Sequence, residues 1–218
     1  MKRTITVKGV GTASAKPDFI VISMNIVSKD PEYVKAVANA NERIALLQNA
    51  IIKAGFVKED LKTLSFNVRT AYKNEQNERG MWVSVFDGYE CRYRLKLSMD
   101  MDAKRLADTL TEISDSKADA EFNIEFTVKN PEEIGEAVLR SATENAKRKA
   151  KILCEASGEK LGELISIDYD WSDIHVASAS VYSAGNMVRG IAEDAAMPEF
   201  EPEDIRSSDS VTFIWEID

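Results

Sequence analysis

The sequence predicts an α+β fold, in which strands and helices are mixed and the strands pair antiparallel. Several segments alternate apolar and polar residues, as half-buried strands do. Two longer segments repeat apolar residues at spacings of three and four, which is typical of amphipathic helices. The predicted order is two strands, a helix and two strands, followed by helix, strand, helix, strand and a last strand. The 218 residues are enough for one large domain or two small ones.

The first two predicted strands, at residues 4–12 and 19–27, are separated by a Pro-Asp break at residues 16–18 and indicate a hairpin. Gly9 and Gly11 in the first strand have the spacing of a phosphate-binding turn. Such a turn opens a helix, however, whereas these glycines precede a proline and a second strand. We therefore expect the glycines to mark a bulge or a close approach of another backbone.

The first helix is predicted to begin at Asp30 and Pro31, because Asp is a preferred N-cap and Pro is favoured at the first helical position. Its apolar stripe runs from Val34 to Ile52, and Gly55 ends it. The remaining predicted elements are strands at 61–72 and 82–99 joined by a polar turn at 73–80, a helix at 103–113, a strand at 121–128, a helix at 131–157 that stops at Gly158, and strands at 164–169 and 211–217.

Two further segments stand out. The long helix has one face formed by Leu139, Ala142, Ala146, Ala150 and Leu153, and its small side chains favour tight packing within the chain over a subunit interface. Residues 171–208 are rich in Ala, Ser, Asp and Glu and show no sustained period. A connection of that length inside a compact domain is usually functional or disordered, so we expect a mobile arm.

Composition excludes several classes of partner. The formal net charge of -9 argues against nucleic acid, which requires clustered Lys and Arg, and against anionic lipid. No segment approaches the roughly 20 apolar residues that span a bilayer, so we expect no membrane insertion. The first eight residues are basic without a following apolar segment, which predicts a cytoplasmic location, or a periplasmic one if a leader has been removed.

The sequence provides few residues for catalysis. His175 is the only histidine, and Cys91 and Cys154 lie in different predicted elements. A Cys-His nucleophile pair remains formally possible, but neither cysteine lies at a helix N-terminus, where thiols are activated. We expect both thiols to be buried, unpaired and slow to react.

An acidic segment after the strand at 164–169 invites a calcium interpretation. Asp168, Asp170 and Asp173 lie close together, but their spacing departs from that of an EF-hand loop and no glycine follows. A solvated acidic loop is the alternative that we favour. We therefore predict no cofactor and no metal, and a protein that acts by assembly or binding; the alternative is a thiol- or metal-dependent enzyme or a redox-responsive protein.

An apolar strand beside the polar turn predicts an interface. Trp82, Val83, Val85 and Phe86 place apolar side chains on both faces of one strand. Such a strand must be covered on both sides, and a single layer of helices covers only one. Trp is also enriched at interface hot spots. We predict that these four residues are covered either by another part of the chain or by another copy of it.

The order of these motifs resembles that of the SIMPL domain, a largely uncharacterised family common in bacterial envelopes. The motifs that carry the resemblance are the opening ITVKGVGTASAKPDFIVISMNIV with its V-x-G-x-G strand and Pro-Asp break, the A-x-x-x-N helix of AVANANERIALLQNAIIKAGFVKEDLKTLSFNV, the strand GYECRYRLKLSM, the A-x-x-x-A-x-x-K-A helix of AVLRSATENAKRKAKILCEASGEKLGEL, and the ending VTFIWEI.

This resemblance implies two α+β subdomains of antiparallel sheet with helices on one face, the second similar to a ferredoxin-like plait. We expect the first at residues 1–87, completed by residues 205–218, and the second at 88–204, with the arm at 171–208. At least one relative resembles a ring-shaped homo-oligomer, so the resemblance favours another copy of the chain as the partner of Trp82, Val83, Val85 and Phe86. Other relatives are linked to oxidative stress. The family offers no established catalytic residues, so the resemblance assigns none here.

Overall fold

The computed structural model describes residues 3–170, 176–184 and 201–218 of the chain. These residues form the helices α1 (Tyr33–Lys53), α2 (Ala103–Asp115) and α3 (Pro131–Ser157). Their strands are β1 (Arg3–Ala15), β2 (Phe19–Asp30), β3 (Lys62–Gln76), β4 (Trp82–Asp100), β5 (Glu121–Thr127), β6 (Leu161–Asp168), β7 (Ala177–Ala184) and β8 (Ile205–Ile217). Every predicted helix and strand is present, α3 with the predicted ends and the others with shifted ends, and β7 is additional.

The strands form two sheets, which confirms the α+β class. One sheet has three strands in the order β1-β8-β6, and the other has five in the order β3-β4-β2-β5-β7. The predicted hairpin of β1 and β2 is wrong. β1 pairs along its whole length with β8, from Arg3 opposite Ile217 to Ala15 opposite Ile205, whereas β2 pairs with β4. Alternation identifies a strand, but it carries no information about a partner from the other end of the chain.

The chain divides into two compact units. Unit 1 contains residues 3–18, 126–170, 176–180 and 202–218 of the described chain, and unit 2 consists mainly of residues 19–125. The units therefore interleave along the chain, unlike the expected division at residue 87, which falls inside β4. β8 returns to pair with β1, so the first and last segments belong to the same unit.

Unit 2 has the element order β2-α1-β3-β4-α2-β5, and its first four strands are ordered β3-β4-β2-β5. This order is that of a ferredoxin-like plait. The resemblance placed such a plait in the second half of the chain, but the structure has it between residues 19 and 127. The buried side chains of α1 are Ala36, Ala40, Leu47, Ala50 and Ile51.

The predicted start and stripe of α1 need correction. Val34 and Ile52 are exposed, because two alanines, Ala36 and Ala40, bring the helix against Cys91 in the sheet. The helix begins at Tyr33 instead of Pro31. Asp30 caps no helical N–H; its side chain accepts the N–H of Glu32 in the turn before the helix, at 2.8 Å.

Unit 1 packs α3 against β1 and β8. The core between them contains Val7, Ala142, Ala146, Ala150, Val211, Phe213 and Trp215. A Cβ atom at Gly9 would lie 2.1 Å from the carbonyl oxygen of Ala142, and one at Gly11 would lie 1.9 Å from that of Val138. The close approach predicted for both glycines is confirmed, as is tight packing of the alanine face within the chain. Leu153, predicted on the same face, is instead exposed. Gly158, with φ of +80°, ends α3 as predicted.

The segment predicted as a mobile arm contains regular structure. β7 lies within it, and β8 begins at Ile205, six residues before the predicted start. The hydroxyl of Thr127 donates to the carbonyl of Val176 at 2.6 Å, and that of Ser178 donates to the carbonyl of Glu203 at 3.0 Å. Alanine and serine give β7 no apolar period, so pattern alone did not reveal it. Residues 171–175 and 185–200 lie outside the described residues, and their mobility stays a prediction.

Candidate interaction surface

The hairpin of β3 and β4 extends past the strand that neighbours it. β4 pairs with β2 only over residues 89–100, whereas residues 82–86 pair with β3 alone. From here on, the arm means residues 70–86, a different segment from the one predicted to be mobile at residues 171–208. It contains the end of β3, a turn and the start of β4. Within the described strands, neither outer edge of the arm has a partner. Unpaired edges can accept a strand from another chain.

The turn at the tip of the arm is held by Asn77. Its side-chain oxygen accepts the backbone N–H groups of Arg79 and Met81, both at 3.0 Å, and its own N–H donates to the carbonyl of Met81 at 2.9 Å. Gly80 takes a φ of +73°, which a residue with a side chain rarely adopts. The turn is therefore bonded within itself and keeps the two strands of the arm in register.

A β-bulge separates the arm from the rest of its sheet. Thr70 lies opposite Tyr89 and Tyr72 lies opposite Phe86, so one residue of β3 faces two of β4. Gly88 sits in the bulge with φ of +98°, and a Cβ there would lie 2.5 Å from the carbonyl oxygen at the end of β2. A bulge bends a strand and increases its twist. β4 thus bends at Gly88 and continues past it.

Charged side chains join the base of the arm to β2. Lys29 forms an ion pair with Asp87, and Lys73 forms one with Glu75 at 2.5 Å and approaches Asp87 at 3.9 Å. The hydrogen bond from Lys29, followed by the nearby charges of Lys29 and Lys73, holds the pKa of Asp87 below its usual value, against an opposing effect of desolvation. The hydrogen bond with Glu75 raises the pKa of Lys73. Both groups therefore stay charged at neutral pH.

The four residues predicted as an interface are exposed. Trp82 and Phe86 lie on one face of the arm, opposite Gln76 and Tyr72, and Val83 and Val85 lie on the other face. The exposed fractions are 70% for Trp82, 46% for Phe86, 38% for Val83 and 37% for Val85. These side chains are therefore not part of the core of unit 2. Their contact with another copy of the chain stays a prediction.

Aromatic side chains continue from the arm toward α1. The rings of Tyr72 and Phe86 lie 6.1 Å apart, those of Phe86 and Tyr89 5.4 Å, and those of Tyr89 and Tyr33 5.6 Å, all edge to face. Tyr72 is also exposed. No sequence pattern singles out Tyr33, and the alternation of β3 includes Tyr72 without placing it beside Phe86. That place depends on a register that only the turn and the bulge determine.

The arm carries no net charge. It contains two basic residues, Lys73 and Arg79, and two acidic residues, Glu75 and Glu78, whereas the whole chain has a formal charge of -9. An approaching second copy is therefore repelled less by the arm than by the average surface of the chain.

The candidate thiols are buried and lie in different units. Cys91 lies in β4 of unit 2 and Cys154 near the end of α3 of unit 1, and both are free. Burial raises the pKa of the Cys91 thiol, which reduces the fraction present as reactive thiolate. His175, the proposed partner of either cysteine, lies outside the described residues.

The acidic segment forms no metal site within the described residues. Asp168 ends β6, and it and Asp170 are exposed, while Asp173 lies outside the residues described. No group of three or more metal-binding side chains occurs in the described part of the chain. The described helices also include none that is both long and apolar enough to cross a membrane.

Comparison with known proteins supports the resemblance seen in the motifs. The family model of SIMPL, described as a protein of unknown function (DUF541), matches residues 5–215. The 26 kDa periplasmic immunogenic protein of Brucella melitensis is 25% identical over 167 residues, and that of Brucella abortus strain S19 is 24% identical over the same length. These matches cover 75% of this chain and 65% of each relative. Because both relatives are named as periplasmic, the expected cytoplasmic location is contradicted.

Proposed function

This chain belongs to the SIMPL family, and we propose that it acts by assembling into a homo-oligomer through the arm, without catalysing a reaction. The observation that carries the proposal is the combination of exposed apolar side chains on both faces of the arm with two strand edges that have no partner among the described strands. Exposed apolar groups of this kind mark sites of protein–protein contact. An unpaired edge adds backbone hydrogen bonds to that contact.

The energetics require an apolar surface on the receiving copy. Full burial of an apolar side chain of this size contributes roughly 1.5–3 kcal/mol. Association costs on the order of 4–15 kcal/mol in lost freedom. The four apolar side chains of the arm therefore offset much of that cost, but a stable complex also needs apolar groups and strand hydrogen bonds from its partner.

The alternative of a thiol-dependent enzyme has less support. The thiol of Cys91 is fully buried and its pKa is raised by that burial, whereas a catalytic cysteine needs an accessible thiolate. Cys154 is also buried, on the face of α3 that carries the core alanines. Neither position offers a substrate a path to the sulfur.

The names of the relatives also suggest where the protein works. Both Brucella proteins are named as periplasmic. We place this chain in the same compartment as part of the proposal. In that oxidising environment two buried thiols in separate units would remain unpaired for as long as the protein stays folded.

Light scattering of the purified protein tests the proposal. We expect the wild type to have a mass of several chains and the arm variant, Trp82→Asp with Phe86→Asp, to have the mass of one chain with an unchanged circular dichroism spectrum. A matched control, Val34→Asp with Leu46→Asp, introduces the same charges at exposed apolar sites of α1 and should keep the wild-type mass. A monomeric wild type, or an arm variant that keeps the wild-type mass, would refute the proposal.

A further inference from the structure

The three-stranded sheet has two edge strands, β1 and β6, and side chains of α3 form hydrogen bonds to the outer edge of β1. Along β1, the N–H of Val10 donates to the side-chain oxygen of Asn145 at 3.1 Å, and the N–H of Thr12 donates to the hydroxyl of Ser141 at 3.3 Å. The ammonium of Lys149 donates to the backbone carbonyl of β1 at residue 8, at 3.1 Å. Three side chains spaced four residues apart on α3 thus form hydrogen bonds with three backbone groups on the outer edge of β1.

This capping follows from the glycines of β1. Because Gly9 and Gly11 have no Cβ, the backbone of α3 lies directly against β1, close enough for short side chains to reach its edge. At β6, Leu161 packs against the core of this unit, whereas Leu164 and Ile167 stay exposed. Leu164 and Ile167 lie opposite Trp215 and Phe213, whose side chains pack on the helix.

β6 is consequently an open edge with apolar side chains. Leu164 is 47% exposed and Ile167 is 57% exposed, and Ile165, at a shift in register, is also exposed. Among the described strands β6 pairs with β8 only. The three-stranded sheet therefore has one edge that α3 blocks and one that can accept a further strand.

We propose that β6 is the surface that receives the arm of a second copy of this chain, the arm adding as a strand at the β6 edge. This inference rests on the proposed function and supplies the apolar receiving surface that the energetics require. The eight residues of β6 are matched in length by the seven from Thr70 to Gln76 in the arm. Since arm and β6 are different surfaces, the contact is heterologous and leaves an arm and an edge free at the ends of any open chain of subunits.

Charge favours this pairing over pairing of β6 with itself. β6 contains Glu163 and Asp168 and no basic residue, so two copies of β6 in one ladder would bring four carboxylates together. The arm is neutral, since Lys73 and Arg79 balance Glu75 and Glu78. Pairing of β6 with the arm therefore avoids the repulsion between carboxylates that pairing of β6 with itself would bring.

Two variants with intact partner surfaces test the inference. The edge variant, Leu164→Lys with Ile167→Lys, blocks β6 with charges of the kind that protect natural edge strands. We expect it to have the mass of one chain. Its matched control, Val10→Lys with Thr12→Lys, places the same charges on the capped edge and should keep the wild-type mass. If the edge variant loses its circular dichroism spectrum, Ile165→Lys replaces it and must give the same result.

Mixing then distinguishes the possible contacts. The edge variant keeps a working arm and the arm variant keeps a working β6, so the mixture should form a complex of one chain of each, with twice the mass of a single 24.3 kDa chain. An edge variant of wild-type mass, which arm-to-arm contact requires, or a mixture that stays monomeric, would overturn this inference and leave the proposed function standing. A monomeric wild type would overturn both.

Discussion

The two edges of one sheet, β1 and β6, show how the position of a single helix decides which backbone is available. Both strands pair with β8 and both end the sheet. The outer edge of β1 is hydrogen-bonded by α3 through Ser141, Asn145 and Lys149. In β6, by contrast, Leu164, Ile165 and Ile167 are exposed. The difference arises from two glycines in β1 and not from the composition of the edges themselves. An exposed edge can thus be a consequence of close packing elsewhere in the same unit.

The largest expected effect comes from removing the close approach of α3. Gly11→Ala places a Cβ 1.9 Å from the carbonyl oxygen of Val138, so helix and strand must separate. We expect the free energy of unfolding to fall by about 3 kcal/mol, at the upper end of the usual range for overpacking. Denaturant unfolding measures this change.

The control for that variant is Val10→Ala, on the same strand with its side chain exposed. It should change the free energy of unfolding by less than about 0.5 kcal/mol. The helix displaced in Gly11→Ala should also release its bonds to β1, so the two edges would become alike and the amides of Val10 and Thr12 would exchange faster. If Gly11→Ala unfolds at the same denaturant concentration as the wild type, the glycines do not set the position of α3.

An intermediate effect is expected from removing the edge caps alone. Ser141→Ala with Asn145→Ala leaves the N–H groups of Val10 and Thr12 without their acceptors. We expect a loss of about 1–2 kcal/mol, one net hydrogen bond contributing about 1 kcal/mol. Glu144→Ala, on the exposed side of the same helix, is the control.

The same variant also opens β1 to other chains. Its concentration-dependent light scattering should rise above that of Glu144→Ala, because β1 would then resemble β6 in offering free backbone groups. Equal scattering by the two variants would mean that the caps do not determine which edge associates.

The smallest effect concerns the base of the arm. Because the folded-state pKa of Asp87 is lowered, its ionised form stabilises the fold above the usual pKa, and this stabilisation is lost as the pH falls through the lowered value. We expect Asp87→Asn to have a slightly lower unfolding midpoint than the wild type at neutral pH and an equal one at the acid end. Asp108→Asn, on the exposed side of α2, is the control at neutral pH for loss of an exposed acidic side chain. A difference that persists in acid would assign the effect of Asp87 to something other than its charge.

The sequence predicts the elements of this protein better than their partners. Local signals located the ends of α3, where Pro131 begins the helix and Gly158 ends it, because both depend on the backbone of one residue. The hairpin assigned to β1 was wrong because the true partner, β8, is separated from it by almost the whole chain. Pairing of that kind depends on which apolar faces meet, and alternation does not specify it.

For the candidate interaction surface, the sequence predicts the arm but not the strand that we propose receives it. The interface prediction for Trp82, Val83, Val85 and Phe86 came from apolar residues on both faces of one strand, and the structure places all four in the exposed arm. The receiving strand β6 gave no such signal, because Leu164 and Ile167 have the pattern of core residues. Their exposure depends on where α3 lies, which is a property of the packing in unit 1.

Amide hydrogen exchange at the edges β1 and β6 directly tests whether β6 receives the arm of a second copy. The wild type and the arm variant, Trp82→Asp with Phe86→Asp, are compared at the same chain concentration. If β6 receives the arm, we expect the amides of β6 to exchange more slowly in the wild type than in the arm variant. Those of Val10 and Thr12 should exchange at the same rate in both. A wild type that is oligomeric but shows no added protection in β6 would contradict the pairing of the arm with β6.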